Sequence, residues 1–600
     1  MSRVRALARP APLLLTGLVL VGLALRVINN GYGLPYVFTH DEAGHFTDRA
    51  VEMFREGYDP GYYENPTTFT YVVHAALRFQ FGLLGSFFDL PRGNVTDQFS
   101  ADPTSIWISA RTLTALLCTA GVVALYLVGR RLFGTREGLV AAAVLTFAFL
   151  AVTYSRQAVT DVGALTGVAL ALLLSIKALE DGRKRWFALA GGAAGLALSF
   201  KYTAGLVLLP VGLAALLRLR ADRLRSVLGG VIAVVCAGVV FAVLNPYLIL
   251  KFGEFRAKVQ AQADVAGTLA KAGQEGSAPL YYLDSLTWGL GWAVALAVLA
   301  GVVVLARRDW RRALLLTAFP VALFVYLSLQ SRYFGRWLLP AYPALALLAA
   351  VALVQAGDWL SRLRPRLAPL AVAALTALAL AQMVAADVRS VVVLGREDTR
   401  LEARRYLERS FPPQLRISIE PAVPDRFYRA APTGELPSWL KRCRPAGYSY
   451  RTAGGNRACE LQEPGQFTRP ASKVLSSNYH FVLTPRAVDD MRFYGYCTVM
   501  TLSLVRERVE RIGSGKVREY YRRLERKADL VRVWSPYRKG AERPPFDFDL
   551  SYNYYPGAFS RPGPEIRLYR LRDCRQGVGP SAVRVPRTPK VPPGAAPEDA

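Results

Sequence analysis

The sequence is dominated by eleven apolar runs, each close to the length that a membrane-crossing helix needs. They lie near residues 13–28, 105–129, 138–154, 161–179, 186–200, 202–217, 226–250, 285–306, 312–329, 337–356 and 367–386. One soluble core could not bury so many runs, and in lipid only helices and closed barrels satisfy their own backbone hydrogen bonds. We therefore predict a polytopic α-helical membrane protein with about eleven transmembrane helices.

The first apolar run resembles the middle of a signal peptide, because it follows Arg3, Arg5 and Arg9. No clean small-residue cleavage site comes after it, and further apolar runs do. We expect this run to be retained as the first transmembrane helix.

The connections between the runs alternate in charge. Arginine and lysine gather in every second connection, at residues 129–137, 180–186, 218–225, 306–312 and 361–367. Because basic loops stay in the cytoplasm, the N-terminus is predicted to be cytoplasmic and the chain to cross the cell membrane many times. Residues 29–104 and everything after about 387 then lie on the outer side. The net charge of +29 is spread over short clusters, which argues against nucleic acid as a partner.

Two of the outer segments are long enough to fold. Residues 29–104 contain a helix-like patch at 42–55 and an aromatic-rich apolar patch at 69–88, which suits a helix lying in the membrane interface. Residues 391–576 alternate between helix-like and strand-like stretches, with a helix over 399–410 and strands at 416–419, 480–483 and 566–571. We predict a transmembrane domain over 1–390, an extracytoplasmic α/β domain over 391–576, and a Pro-rich disordered tail over 577–600.

The six cysteines divide between these regions. Cys118 and Cys236 lie in apolar runs, as packed thiols do, and the other four are in the outer region: Cys443, Cys459, Cys497 and Cys574. An even number in an oxidising compartment suits disulfides, but the spacing leaves the pairing open.

The first outer loop contains the acidic pair Asp41-Glu42 within FTHDEAGHF, residues 38–46. One interpretation is that Asp41 caps the N-terminus of a helix. The other is a carboxylate base at the membrane surface, able to take a proton from an incoming hydroxyl or amine. His45 would share a helical face with Asp41, so a divalent metal stays an alternative, although a third ligand is missing. No cofactor is predicted with certainty.

Further charged residues lie at the predicted outer ends of the helices. They are Asp161 with Arg156 close before it, Lys201 in a very short turn, and Arg332 and Arg336 at the start of the tenth run. Taken singly, such cations are often interfacial side chains that reach toward water. Together with the acidic pair, they suit a reaction that needs a carboxylate base and cations on a phosphate. A lipid phosphate would lie at this depth in the membrane.

The order of these motifs resembles the GT-C glycosyltransferases, and more closely the branch with protein O-mannosyltransferases and the lipid A aminoarabinose transferase of bacteria. The similar segments are the Asp-Glu pair after the first span, SRQAVTD (155–161), SFKYTAG (199–205), NPY (245–247), YYLDSLTWGLG (281–291), RYFGRWLLPAYP (332–343) and DTRLEARRYLE (398–408). The resemblance implies a GT-C catalytic domain over 1–390. It also implies inverting transfer of a sugar from a polyprenyl-phosphate donor to a lipid, glycan or protein acceptor.

The resemblance also implies roles for individual residues. Asp41 matches the catalytic base, Glu42 its neighbour that holds acceptor or metal, and Asp161 the second acidic residue. The residues expected to bind substrate are Lys201, which would contact the phosphate, with Tyr202 beside it, and Arg336, Arg156, His40 and Glu64. The stretch ENPTTFTY (64–71) departs from the family's His-Pro-Pro pattern, which leaves acceptor recognition open.

Two other functional classes stay as alternatives. A lipid-linked sugar flippase or other transporter would place charges inside the spans and often has internal repeats, whereas here the polar groups gather at one predicted face. A sensor would act through its outer domain. Removal of residues 391–600 should abolish the function of a sensor, whereas we expect an enzyme to keep catalysis and lose acceptor choice.

Overall fold

The computed structural model describes residues 11–39, 41–42, 44–84, 95–268, 270–271, 273–274, 276–411, 417–420, 483–493, 495–513, 515–549 and 554–576. Several sequence predictions fall outside these residues: His40, Cys443, Cys459, the tail at 577–600 and most of the strand at 480–483.

All eleven predicted apolar runs coincide with helical segments, so the predicted polytopic helical fold is confirmed. Seven described segments are long and apolar enough to cross a membrane: Thr104–Leu132, Asp161–Asp181, Arg223–Leu244, Ala278–Arg308, Trp310–Ser328, Gly335–Leu360 and Pro365–Leu407. Two shorter apolar helices are Ala11–Val27 and Tyr202–Arg218. The other two runs form Lys184–Phe200 and a broken pair, Thr135–Phe147 and Phe149–Ser155, interrupted at the extended residue Ala148.

Close helix packing holds the bundle together. Tyr342–Leu360 is its central helix. In the apolar stretch of the segment Gly335–Leu360, 94% of the residues are buried by other parts of the chain. Lys184–Phe200 packs against Arg223–Leu244 through small residues, and a Cβ added at Gly191 would lie 2.0 Å from the Ala233 carbonyl oxygen. Such contacts between small residues bring helix backbones together where no hydrophobic effect operates between helices in lipid.

The first long loop folds as short helices, Thr47–Glu56, Thr68–Arg78, the π-helix Phe79–Leu84 and Val95–Ala101. The first helix begins later than the predicted patch at 42–55. In the second, Phe69, Val73 and Leu77 are buried in the core of the bundle. Asn245, at the end of Arg223–Leu244, accepts hydrogen bonds from the Thr67 and Thr68 amides at 2.8 and 3.1 Å. This loop is therefore anchored to the bundle through the Asn of the NPY motif.

The C-terminal region forms a small mixed sheet with helices, as predicted. The strands are β1 (Ile417–Ile419), β2 (Thr498–Leu502), β3 (Ala528–Trp534) and β4 (Ile566–Leu571), in the order β1-β2-β4-β3. Only β1 and β2 are parallel. The helices are Thr399–Ser410, Pro485–Phe493, Ser503–Ile512 and Gly515–Lys527. A disulfide joins Cys497, before β2, to Cys574, after β4.

The bundle and the C-terminal region are in contact across the predicted boundary at residue 390. The last bundle helix, Ala368–Leu394, crosses that boundary. Phe548 and Tyr555, from the loop between β3 and β4, pack against the core of the bundle. In the opposite direction, Tyr36 of the first loop is buried in the core of the C-terminal region. Each part therefore packs side chains into the core of the other.

Candidate functional site

Asp41 and Arg336, which are far apart in sequence, form an ion pair. Asp41 lies in a turn, and the next helix begins only at Thr47, with Phe46 at its N-cap position. The helix-capping interpretation of Asp41 is therefore wrong, because the chain turns between the acidic pair and the helix. Arg336 lies near the start of a 3-10 segment, with its guanidinium 5.6 Å from the Tyr154 ring centre and 5.4 Å from that of Phe334.

Asp161 and Lys201 form a second ion pair, and both side chains are buried. Asp161 begins a 3-10 turn, and Lys201 follows the last residue of the Lys184–Phe200 helix in an extended conformation. The Thr160 hydroxyl donates a hydrogen bond to the Phe200 carbonyl at 2.7 Å, which ties the two turns together. Each charge compensates the other, as a buried ion requires.

The two ion pairs belong to one electrostatic cluster. Lys201 interacts electrostatically with both Asp41 and Arg336, and Arg336 interacts with Asp161. The cluster contains two carboxylates and two cations from four separate parts of the chain. An anion that enters it can bind the cations and thereby release a carboxylate from its partner.

Glu42, the sequence neighbour of Asp41, has a different environment. It is fully buried, and both of its oxygens accept hydrogen bonds from Arg111, at 2.6 and 2.8 Å. One oxygen also accepts from the Ala158 amide at 2.9 Å. Arg111 in turn donates to the Asn30 and Tyr32 carbonyls. These contacts join the first loop to the Thr104–Leu132 helix and to the bend at Ala158, so Glu42 contributes to the scaffold of the site.

Arg156 forms hydrogen bonds at the C-terminal end of the first helix, Ala11–Val27. Its guanidinium donates to the Leu25 carbonyl at 2.8 Å and to the Ile28 carbonyl at 2.7 Å. Buried Asp387, on the last bundle helix, interacts electrostatically with Arg156 and with Arg26. The structure thus gives Arg156 contacts with backbone carbonyls rather than with the ion-pair cluster.

Glu64 and Tyr202 interact electrostatically with each other. The Tyr202 hydroxyl donates to the Tyr63 carbonyl at 2.9 Å, and Glu64 forms an ion pair with Lys258 at 3.2 Å. His45 stacks on the Tyr62 ring with centroids 4.9 Å apart. Within the described ranges, no three His, Cys, Asp or Glu side chains come together as a metal site requires.

Asp59 lies in the same loop and links it to Lys251, beyond the NPY motif. Burial opposes ionisation of Asp59, but hydrogen bonds from Lys251, Tyr63 and the Gly61 amide outweigh that effect and lower the pKa of Asp59. The carboxylate therefore stays charged and stabilises the loop at neutral pH.

The sequence agrees with a known protein family over part of its length. Residues 105–249 match the family model described as dolichyl-phosphate-mannose-protein mannosyltransferase. The matched range is less than half of the chain. It includes Asp161 and Lys201, whereas Asp41 and Arg336 lie outside it.

Several solved structures are similar to this chain. ArnT from Cupriavidus metallidurans, bound to undecaprenyl phosphate, is 17% identical with a TM-score of 0.46, over 82% of this chain and 92% of that one. The oligosaccharyltransferase AglB from Archaeoglobus fulgidus, with an inhibitory peptide and a dolichol-phosphate, is 14% identical with a TM-score of 0.46, over 88% and 73%. The apo Archaeoglobus fulgidus oligosaccharyltransferase is 13% identical with a TM-score of 0.49, over 88% and 73%. Among curated protein sequences, none matches.

The structure brings together four of the residues predicted from sequence, Asp41, Asp161, Lys201 and Arg336. Sequence reasoning missed Arg111, although an arginine inside an apolar run is a signal, because such a charge needs a buried partner. It also missed Asp549, whose contact with the loop of Arg336 is described below. No local pattern marks that contact, since Asp549 lies far away in sequence.

Proposed function

We propose that the chain transfers a sugar from a polyprenyl-phosphate donor to an acceptor hydroxyl, with inversion at the anomeric carbon. Lys201 and Arg336 bind the phosphate, Asp161 orients Lys201, and Asp41 acts as the base. The observation that carries this proposal is the electrostatic interaction between two ion pairs, Asp41–Arg336 and Asp161–Lys201. The family description, which names a dolichyl-phosphate sugar, supports the donor class.

The reaction is a single displacement. The donor phosphate competes with Asp41 for Arg336, and this competition leaves the carboxylate free to accept a proton. The acceptor oxygen attacks the anomeric carbon while its proton passes to Asp41. The bond from that carbon to the phosphate oxygen breaks, and the electron pair stays on the phosphate, where Lys201 and Arg336 neutralise the added charge. A phosphate needs no acid to leave.

The remaining predicted residues take supporting roles in this proposal. Glu64 and Tyr202 line the acceptor side of the site, next to the stacked His45 and Tyr62. Glu42 and Arg156 hold the loops in place through the contacts described above.

The test is transfer from a synthetic polyprenyl-phosphate sugar by purified protein in lipid nanodiscs. We expect Asp41→Asn to lower turnover by about 10²–10⁴-fold, the usual contribution of a general base. Glu52→Gln, which removes an exposed carboxylate in the same loop, is the matched control and should keep full turnover. If the Asp41→Asn variant folded and kept normal turnover, Asp41 could not be the base. Movement of the intact donor across the membrane, without transfer, would instead identify a transporter.

We also infer that the site and the C-terminal domain face outward and that the N-terminus is cytoplasmic, because the basic connections lie at the opposite ends of the helices. In intact cells, an impermeant maleimide should label a cysteine introduced at Lys539, which is exposed. It should not label one at Leu363, which is 98% exposed in a basic connection. The reverse pattern would overturn this orientation.

A further inference from the structure

We propose that Asp549, in the C-terminal domain, is a positioning residue for Arg336. It fixes the backbone of the loop that presents this cation. The inference rests on the proposed function, since it assigns Arg336 a part in phosphate binding.

Asp549 is a fully buried carboxylate that contacts the loop directly. It accepts a hydrogen bond from the Gly335 amide at 2.5 Å and another from the Tyr281 hydroxyl. Gly335 immediately precedes Arg336. Through this hydrogen bond, Asp549 holds the backbone of the loop one residue before the cation.

The loop has little room to move at this point. A Cβ added at Gly335 would lie 2.8 Å from the Trp288 ring and 3.3 Å from an Asp549 oxygen. Phe548, next to Asp549, packs its ring against Tyr333 at 5.4 Å and against Phe334 at 6.1 Å between centroids. Residues 333–335 are therefore clamped by two consecutive residues of the C-terminal domain.

The same domain also contacts the loop that carries Asp41. The Arg400 guanidinium lies 3.7 Å from the centre of the Phe38 ring, and Asp398 holds Arg400 through hydrogen bonds at 2.7 and 2.9 Å. Tyr36 is buried in the core of the domain, beneath Arg404. Both members of the Asp41–Arg336 pair thus lie on loops that the C-terminal domain supports. Removal of residues 391–600 should therefore disturb the reaction itself as well as acceptor choice.

The experiment measures kcat and donor KM for Asp549→Leu and Asp549→Asn in lipid nanodiscs. A small displacement of a catalytic group is costly, so we expect Asp549→Leu to lower kcat/KM by about tenfold or more. Asp549→Asn retains an oxygen that can accept a hydrogen bond from the Gly335 amide. Its kcat/KM should therefore lie within about threefold of that of the parent chain. Tyr281→Phe, which removes one donor and keeps the carboxylate, provides an intermediate variant if Asp549→Leu does not fold.

A double-mutant cycle with Arg336→Lys separates positioning from loss of stability. If Asp549 acts through Arg336, the effect of Asp549→Leu, or of Tyr281→Phe in its place, should shrink to less than about threefold in the Arg336→Lys background. The matched control is Glu565→Leu, a buried acid in the same domain that pairs with Arg543 and Arg567. It should lower thermal stability and leave kcat/KM per folded molecule unchanged in both backgrounds.

The outcomes distinguish this inference from the proposed function. The positioning role would be overturned if the Asp549 or Tyr281 variant lowered kcat/KM by the same factor in both backgrounds. It would also be overturned if Asp549→Asn did not restore kcat/KM. The proposed function would still stand if Asp41→Asn remained inactive. Full turnover by Asp41→Asn would overturn the proposed function, whatever the cycle shows.

Discussion

Asp41 and Glu42 are consecutive carboxylates in two different environments. The Glu42 side chain has no exposed surface and is held by Arg111, whose side chain is 1% exposed. The Asp41 side chain is 32% exposed, and its partner Arg336 is 16% exposed. The Glu42 pair is closed to any ligand, because both of its oxygens are occupied by the guanidinium. The Asp41 pair is open at one side, so an incoming anion can compete for the arginine.

This difference suits Glu42 to a structural role and Asp41, the adjacent residue, to a chemical one. A buried ion pair contributes little net stability, but loss of one member leaves an uncompensated charge. A partly exposed pair can exchange partners at a smaller cost in desolvation. Substitutions that act differently on the two pairs therefore test the division of roles.

The largest effect on stability is expected for Glu42→Gln. The variant leaves the Arg111 guanidinium buried without its counter-ion, which should lower the free energy of unfolding by about 3–5 kcal/mol. Thermal unfolding in detergent and the yield of folded protein measure this effect. Asp41→Asn, in parallel, should unfold close to the parent chain while losing turnover. Similar stability of the two variants would contradict the comparison.

The next effect concerns the second buried pair. Lys201→Met should lower turnover by about 10²–10³-fold, because a cation that stabilises the leaving phosphate is lost. It should also destabilise the fold, since Asp161 is left buried without its cation. The double variant Asp161→Asn with Lys201→Met should recover stability without recovering turnover. Recovery of both would make the pair structural only.

A smaller effect is expected for Arg156→Met. This change removes hydrogen bonds to the Leu25 and Ile28 carbonyls, which should cost about 1–3 kcal/mol of stability. The donor KM should stay within about twofold of the parent value when activity is expressed per folded molecule. A rise in KM with unchanged stability would place Arg156 on the substrate instead.

A further prediction extends the comparison to a buried carboxyl held by neutral donors. Glu420 accepts hydrogen bonds from the Leu502 amide and the Tyr521 hydroxyl, both at 2.8 Å. Burial raises the pKa of Glu420 from its ordinary value of 4.5 to about 8, against these hydrogen bonds. The folded chain therefore binds the proton more tightly than the unfolded chain, and stability declines as the pH rises from about 4.5 to about 8.

Thermal unfolding between pH 5 and pH 8 measures this change. Glu420→Gln, which cannot lose a proton, should flatten the decline by a few degrees, while the exposed control Glu519→Gln should leave it intact. An unchanged slope in Glu420→Gln would assign the pH dependence to another group.

Much of the fold could be predicted from the sequence, because hydrophobic length and helical propensity are local properties. The apolar runs, the helix Thr399–Ser410 and the strands β1 and β4 all appear where they were expected. The strands β2 and β3 were not predicted. The residues of β3 are exposed between its two buried ends, so no alternating burial pattern marks it. The disulfide partner of Cys497 also depended on the sheet, which brings Cys574 next to it.

The sequence by itself determined the helical membrane fold, the motifs and the candidate charges, since each depends on residues close together in the chain. Only the tertiary structure decided which charges form pairs. Asp41 meets Arg336, Glu42 meets Arg111, and Asp549 reaches the loop at Gly335, across separations of hundreds of residues in two of these contacts. Coulombic interactions and desolvation depend on distance in space and on burial, and neither can be read from order along the chain.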